Sequence, residues 1–478
     1  RLTGFVGAGW FHEEGYQRTP AQFDERLVLA QLAGLLDGSP LGVGDNTLPL
    51  AVYPTVATGA LGALLGSLLP SAAQPLVPTL TAGIASNLQS AYIETPINSS
   101  ELDSYDVFAD ATYAFTDRFE VSAGVRYTRD EKTTGYAASI DSGRSALGTL
   151  LAIQAGAVPS SFIVSSTGVP GFLVQPNYST RPGLPLLGLT SQPTANNGDF
   201  SYYDSEDDGV TWRVTARYEL TDDTNVYANY ARGRRPEVIS ASGPSAPGGA
   251  PRFSSVDAET VDSYEVGAKS ALLDSRLRID GAVFMYNYEN FQTTIQQGTT
   301  FITTNAGEAK SYGFEGQANF AVASNFDLFA TYAYNHSRFE NGIYDGNKFR
   351  LSPDNAASIG ATWRLPVTGG EIEVQPTYTW QSKVFFEDDN DRPDLQTVAS
   401  GAFVADLIQD EYQDAYGLLN LRIRYTPDST NWGVEAFGEN ILDEEYIKDA
   451  GNTGDALGMP TFIAGRPAAY GLVFKLKL

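Results

Sequence analysis

The 478-residue sequence predicts an all-β fold, a transmembrane antiparallel β-barrel, from three observations. First, long segments alternate apolar and polar residues, so the two faces of each strand meet two different solvents. Second, 26 Tyr, 25 Phe and 47 Gly suit many aromatic-rich strands joined by tight turns. Third, short and long connections alternate along the chain, which is typical of barrels with short periplasmic turns and long extracellular loops.

The alternation places the individual strands. The first is predicted to run outward from about Leu2 to Glu13. The pattern is especially clear in two hairpins, Tyr105–Phe115 with Phe119–Thr128 and Tyr312–Val322 with Phe326–Asn335. The last strand, Tyr470–Leu478, is apolar on one face and carries two lysines on the other. We therefore expect the apolar faces to meet lipid and the polar faces to line a water-filled lumen.

The connections give the strand count. Short turns, marked by Asp, Asn, Gly and Pro, are predicted at residues 116–118, 221–224, 273–275, 324–325, 366–370 and 427–430. Long loops are predicted at residues 17–102, 133–208, 233–257, 294–309, 340–352, 387–413 and 444–466. Together they predict about fourteen strands.

Composition excludes several classes of function. A net charge of −26 argues against nucleic acid as a partner, and the absence of Cys excludes disulfides and thiolate metal sites. No nucleophile elbow of the G-x-S-x-G type is present, so no catalytic residue, cofactor or enzyme activity is predicted. The two histidines are His12 and His336, and the spacing around His336 supplies no partners for a metal site.

The acidic run Glu387–Asp391 has two interpretations. Its oxygens could chelate calcium, but it lacks the spacing and the Gly of an EF-hand loop. A solvated loop tip is the favoured prediction.

Two long loops are unusually apolar. Residues 46–93 and 145–180 contain no charged residue, and a short helix is predicted between Pro54 and Pro70. The favoured interpretation is that the two loops fold over the barrel mouth and bury their apolar residues against each other. The alternative is an apolar cap for a hydrophobic ligand or for a partner subunit on the cell surface.

Four segments, in order, resemble motifs of the TonB-dependent outer-membrane receptors. They are Asn225–Pro236, which contains Tyr-Ala-Arg-Gly-Arg-Arg-Pro; Ser263–Phe284, which contains Glu-Val-Gly-Ala-Lys; Asn305–Glu315; and Asn440–Tyr446. Each motif is weak alone, but their common order makes the resemblance specific. Apart from the resemblance, the residue types themselves predict that Glu265, Lys269 and Glu315 line the inner wall, where opposite charges on adjacent strands can pair.

The resemblance implies a 22-stranded barrel with an N-terminal plug domain. Residues 1–478 are accordingly interpreted as the C-terminal part of the barrel, with the plug and the first strands preceding Arg1. The implied function is active import of a scarce nutrient, namely a siderophore, cobalamin, haem or an oligosaccharide, with energy relayed through TonB. Two alternatives stay open: a passive outer-membrane channel without a plug, and a secreted adhesive β-protein.

The implied location is the outer membrane of a Gram-negative bacterium, with membrane lipid and lipopolysaccharide as neighbours and TonB as a partner through the plug region. Ligand contacts are predicted in the extracellular loops. Tyr202, Tyr203 and Tyr344 are candidates for stacking on a ligand, and the alternative for them is the interfacial aromatic girdle. Arg234 and Arg235 are candidates for an anionic ligand or for a lipopolysaccharide phosphate. The acidic net charge itself favours a neutral or cationic ligand at long range.

Overall fold

A computed structural model describes residues 1–32, 53–297, 300–395, 408–428, 431–451 and 461–476. Its strands are β1 (Leu2–Arg18), β2 (Ala21–Phe23), β3 (Tyr92–Ala114), β4 (Phe119–Ile140), β5 (Ser201–Thr221), β6 (Thr224–Arg235), β7 (Val238–Ser242), β8 (Arg252–Val256), β9 (Glu259–Leu272), β10 (Leu277–Glu289), β11 (Gln292–Gln297), β12 (Thr300–Asn305), β13 (Ala309–Ala323), β14 (Phe326–Phe339), β15 (Asn355–Val367), β16 (Gly370–Gln381), β17 (Val384–Phe385), β18 (Tyr412–Gln413), β19 (Tyr416–Pro427), β20 (Trp432–Glu439), β21 (Ile447–Asp449), β22 (Ile463–Ala464) and β23 (Ala469–Leu476). Its α-helices are α1 (Glu25–Leu32), α2 (Tyr53–Leu68), α3 (Val77–Ala85) and α4 (Ala146–Gln154).

The main sheet is an antiparallel meander. Fifteen strands belong to it, and all but β2 follow one path in the order β1-β3-β4-β5-β6-β9-β10-β13-β14-β15-β16-β19-β20-β23. β2 pairs beside this path with one end of β3. The all-β antiparallel prediction and the count of about fourteen barrel strands are thus confirmed in the described part of the chain.

One rim of the sheet consists of short turns, as predicted. They join β3 to β4, β5 to β6, β9 to β10, β13 to β14, β15 to β16 and β19 to β20. In the turn after β9, Leu273, Asp274 and Ser275 all adopt positive φ angles of 55° to 63°. Of the predicted turn 427–430, residues 429 and 430 lie outside the described residues. Longer connections join the strands at the opposite rim.

Several strands are longer than predicted. β1 continues to Arg18 instead of ending at Glu13, β3 begins at Tyr92 inside the predicted loop 17–102, and β4 continues to Ile140. Both faces of these outer extensions carry many polar residues, because neither face meets lipid there. The two-solvent alternation therefore disappears while the backbone ladder continues, and sequence reasoning ended the strands too early.

The two faces of the sheet differ as expected. The outer face exposes apolar side chains, including Val107, Val125, Val214, Val266 and Val283. The inner face carries charged and polar side chains, including Asp110, Arg213, Arg217, Glu265 and Glu315.

The loops at the long-loop rim form a cap with its own apolar core. One group of buried side chains comes from the first apolar loop and comprises Leu61, Leu65, Leu69, Leu80 and Ile84. A second group comes from the other loop and comprises Leu147, Leu150, Ile153, Ile163 and Leu173. Mutual burial of the two loops is confirmed, and so is the helix predicted between Pro54 and Pro70. Residues 46–52 lie outside the described residues, and a surface partner at 46–93 and 145–180 stays a prediction.

None of the helices in the described ranges is both long enough and apolar enough to cross a membrane.

Candidate functional site

Ion pairs on the inner face tie neighbouring strands together. Asp110 on β3, Gly124 on β4 and Arg213 on β5 lie side by side in one row. The Arg213 guanidinium donates to Asp110 at 2.7 Å, across β4. A Cβ atom at position 124 would lie 2.5 Å from the Asp110 carboxylate, so glycine leaves the room that this bridge needs. Near the short-turn rim, Arg217 similarly pairs with Glu120 at 2.9 Å.

A longer ladder of alternating charges crosses six adjacent strands from β14 to β23. Its members are Asp327, Arg364, Glu373, Arg424, Glu435 and Lys475, and successive members lie 2.6 to 3.5 Å apart. Glu435, whose side chain is 5% exposed, also pairs with Arg422 at 3.5 Å. This ladder holds the inner face of the last hairpins.

A cavity of about 570 Å³ lies along the inner face, a volume typical of small-molecule sites. Its polar lining includes Lys269, Asp280, Glu315 and Gln317. The Gln317 amide donates to Asp280 at 2.7 Å, and Lys269 lies directly opposite Asp280 across the strand pair. The wall therefore presents both hydrogen-bond donors and acceptors to a molecule inside the barrel.

A buried carboxylate organises the cap. Glu94, which is fully buried, accepts hydrogen bonds from the backbone N–H groups of Leu189, Thr190 and Ser191 at 3.0 to 3.1 Å. The Tyr92 hydroxyl donates to it at 3.1 Å, and the Thr190 hydroxyl also donates. Burial raises the pKa of Glu94, although these donors oppose the rise.

Two further buried charges join distant segments of the cap. Glu25, at the start of α1, accepts from the backbone N–H groups of Gln89 at 2.7 Å and Leu147 at 3.1 Å. Its pKa is raised by burial. Arg144 donates to four backbone carbonyl groups between residues 178 and 185. Sequence reasoning missed these roles, because only the folded chain brings the partners together.

Residues 388–391 of the acidic run are buried, so the prediction of a solvated loop tip is wrong. Asp388, Asp389 and Asp391 are 4% to 6% exposed. The Thr293 hydroxyl donates to Asp388 at 2.5 Å, and the Arg350 backbone N–H donates to the same carboxylate at 3.0 Å. Donors from β11 and from the 340–352 loop thus offset the cost of burying these charges.

This acidic loop should respond to pH. Burial, followed by the neighbouring Asp389, Asp388 and Asp449, raises the pKa of Glu387 to about 7, and Arg350 opposes the rise. The pKa of Glu387 in the folded protein lies above its ordinary value of 4.5. The contribution of protonated Glu387 to the stability of the loop is therefore fully present below pH 4.5 and is lost as the pH rises through about 7. The Glu387 side chain is 39% exposed, so solvent screens part of the effect.

We expect cleavage of the 384–395 segment by a protease to be a few-fold faster at pH 8 than at pH 5.5, after correction for the protease's own pH dependence. The Glu387→Gln variant should lose most of this difference. The same pH dependence in wild type and variant would contradict the assignment to Glu387.

The predicted ligand-contact tyrosines occupy different positions. Tyr202 and Tyr203 are successive residues of β5 and therefore point to opposite faces. Tyr203 lies on the inner face, is 43% exposed, and stacks on Phe253 with 5.7 Å between ring centroids. Tyr202 lies on the outer face and is 63% exposed. Tyr344 is 3% exposed and packs against Phe339, so its ring is enclosed in a small apolar cluster.

The predicted arginines also differ. Arg234 forms an ion pair with Asp207, and its side chain is only 10% exposed. Arg235 lies on the inner face of β6, where its guanidinium donates to the backbone carbonyl of Gln292 at 3.1 Å. Arg235 is therefore the more accessible of the two to a molecule in the lumen.

The sequence analysis did not identify Lys383 as a residue of interest. The Lys383 ammonium lies 3.2 Å from the ring centroid of Tyr412 and 4.7 Å from that of Phe385. These two rings sit on β17 and β18, and no motif marks them. Cation–π contacts of this kind hold the Lys383 ammonium against the two rings.

Comparison with known proteins bears on most of the main sheet. A family model described as "TonB dependent receptor-like, beta-barrel" matches residues 63–441. The probable TonB-dependent siderophore receptor PiuA of Acinetobacter baumannii is 27% identical over 201 residues, which make up 38% of this chain and 25% of PiuA. The catecholate siderophore receptor Fiu of Escherichia coli K12 is 23% identical over 272 residues, 56% of this chain and 30% of Fiu.

A solved structure has the same fold. The ferric yersiniabactin uptake receptor FyuA from Yersinia pestis superposes with a TM-score of 0.58 at 17% identity. The superposition covers 81% of this chain and 47% of FyuA. The chain thus spans less than half the length of each of these three proteins.

Proposed function

Because the chain belongs to the TonB-dependent receptor-like β-barrel family, we propose that it is part of an outer-membrane receptor that imports a ferric siderophore. Family membership over residues 63–441 carries the proposal, and the names of the siderophore receptors PiuA and Fiu give its substrate class. The family is one of receptors and transporters, not of enzymes. The outer membrane of a Gram-negative bacterium is the proposed location, with TonB as the source of energy.

The cavity and the cap support an importer. The cavity of about 570 Å³ along the inner face is of the size that a small iron complex needs. The cap lies at the long-loop rim, where its apolar core and its buried charges hold the loops in one arrangement. In this proposal the ligand binds first at the rim and then passes along the polar inner face.

Uptake of radioactive iron tests the proposal. Cells that lack their other siderophore receptors and express the full-length protein should take up ⁵⁵Fe from a panel of ferric complexes, and uptake should stop when tonB is deleted. The net charge of −26 favours neutral ferric hydroxamates over strongly anionic ferric catecholates. Uptake that persists without TonB would instead identify a passive channel.

Tyr203 and Arg235 are the proposed ligand contacts at the rim. Loss of one stacking ring or of one charged donor removes about 1.4 kcal/mol of binding free energy, so Tyr203→Ala and Arg235→Ala should each weaken binding of the transported complex about tenfold. Affinity can be measured by quenching of intrinsic fluorescence in detergent. Tyr202→Ala is the matched comparison, since Tyr202 is the next residue on the opposite face. An equal loss in all three variants would argue against contact by Tyr203.

A further inference from the structure

A group of metal-ligating side chains lies on the outer face, away from the lumen and the cap. β1 and β3 are adjacent antiparallel strands, and their register places His12 directly opposite Asp103 and Glu14 directly opposite Glu101. Side chains that share a face of such a pair are close neighbours. Ligand atoms of His12, Glu101 and Asp103 all lie within 4.8 Å of one another.

Contacts within this group of three, and with Trp10 and Glu14 beside it, hold the site in place. His12 Nδ1 lies 3.1 Å from an Asp103 carboxylate oxygen. The indole N–H of Trp10 donates to the same oxygen at 3.0 Å and fixes the carboxylate. On the other side of the ring, His12 Nε2 lies 3.7 Å from a Glu14 oxygen. A histidine that binds a metal through one nitrogen commonly directs the other nitrogen at a carboxylate in this way.

We propose that His12, Glu101 and Asp103 bind a divalent transition-metal ion of the zinc class on the outer face of β1 and β3. One imidazole nitrogen and two carboxylates are ligands that suit such an ion, and adjacent ligand atoms of tetrahedral zinc lie about 3.3 Å apart. Ligand atoms within 4.8 Å reach that spacing by small side-chain rotations. The metal takes the position between His12 Nδ1 and Asp103, and a fourth position stays open to water.

Charge at the site also favours a cation. Glu14 and Glu101 face each other directly, an arrangement of like charges that destabilises a strand pair. Asp103 has a further acid, Glu131, opposite it on β4. Arg129, on the same face of β4, donates to Glu131 at 3.1 Å and to Glu206 at 2.8 Å. Its positive charge is therefore already paired with these two carboxylates. A bound dication relieves the repulsion among the carboxylates of β1 and β3.

The position in the strand places the site at the edge of the apolar band. His12 lies ten residues beyond Leu2, or roughly 33 Å along a strand and roughly 25 Å along the axis of a tilted barrel, which matches the height of the apolar band. The exposed rings of Trp10 and Tyr105, one row below, fit the aromatic girdle there. The metal would therefore lock β1 to β3 where the strands leave the membrane.

Metal titration of the purified full-length protein in chelator-treated detergent tests the proposal. With ZnCl₂ as the probe, calorimetry should show a site in the wild type that is lost in His12→Gln and in Asp103→Asn. Trp10→Phe should weaken that site about tenfold by freeing the carboxylate. Since the chain has no Cys, Co²⁺ at the same site should give visible bands without thiolate charge transfer.

His336→Gln is the matched control, because His336 is the other histidine of this chain and lies on the outer face beside Tyr312 with 4.9 Å between ring centroids. It should leave zinc binding unchanged. Retained heat-modifiability on gels shows that each variant has folded, and Glu101→Gln, a change at an exposed position, provides a second ligand variant. Zinc binding that is unchanged in His12→Gln, or absent from the wild type, would overturn the proposal. This test is independent of siderophore uptake.

Discussion

Replacing Glu94 by alanine should open the cap while leaving the barrel folded. The substitution removes the acceptor for three backbone N–H groups and two hydroxyl groups in a buried setting. Each buried donor left without a partner costs about 1–3 kcal/mol, so the cap should lose about 4 kcal/mol or more. Native-state hydrogen exchange should show loss of protection at Leu189–Ser191 and in the apolar core around Leu147.

Two further variants serve as a comparison and a control for Glu94→Ala. Glu94→Gln keeps one carbonyl oxygen as an acceptor and should have an intermediate effect. Glu13→Gln changes a carboxylate on the exposed strand β1 and should leave the protection of the cap unchanged. If Glu94→Ala retained full protection at residues 189–191, the cap would have to be held by its apolar core and by the contacts of Glu25 and Arg144.

Replacing Glu435 by alanine should destabilise the last hairpins. Glu435 is the nearly buried member of the charge ladder, and its loss leaves Arg422, Arg424 and Lys475 with one partner fewer each. Charged hydrogen bonds contribute about 1.5–3 kcal/mol each, and the half-exposed partners recover part of that from water. We expect the free energy of unfolding to fall by about 3 kcal/mol, measured by urea unfolding in liposomes and followed by tryptophan fluorescence.

Glu371→Ala is the control for this measurement. Glu371 lies at the start of the neighbouring strand β16 and is exposed. Its loss should change the free energy of unfolding by less than about 0.5 kcal/mol. A similar loss in both variants would mean that overall charge, and not the ladder, sets the stability of these strands.

The strands that span the membrane could be predicted from the sequence, because successive side chains alternate between lipid and water and the residues therefore alternate between apolar and polar. Phe119–Thr128 shows the period and lies within β4 as predicted. Above the membrane, the 92–104 part of β3 has water-compatible residues on both faces. The period vanishes there although the ladder hydrogen bonds continue, so the sequence predicted a loop.

The functional groups were harder to predict, because their partners are distant in the chain. Glu94 meets residues 189–191, and His12 meets Asp103, only through a register that no local pattern encodes. The burial of Asp388 likewise depends on Thr293, about a hundred residues away. By contrast, the inner-face positions of Glu265 and Glu315 follow from the alternation of side chains along a strand, so the sequence was enough to predict that they line the wall.

The cap core has a consequence for loop engineering in this barrel. Its two apolar halves come from two separate loops of the chain, and Glu25 links the start of α1 to both of them through hydrogen bonds from Gln89 and Leu147. Replacing one loop with that of a relative would leave the apolar residues of the other loop without the side chains they pack against. The two loops therefore form one structural unit, and exchanging them together would keep the cap core intact.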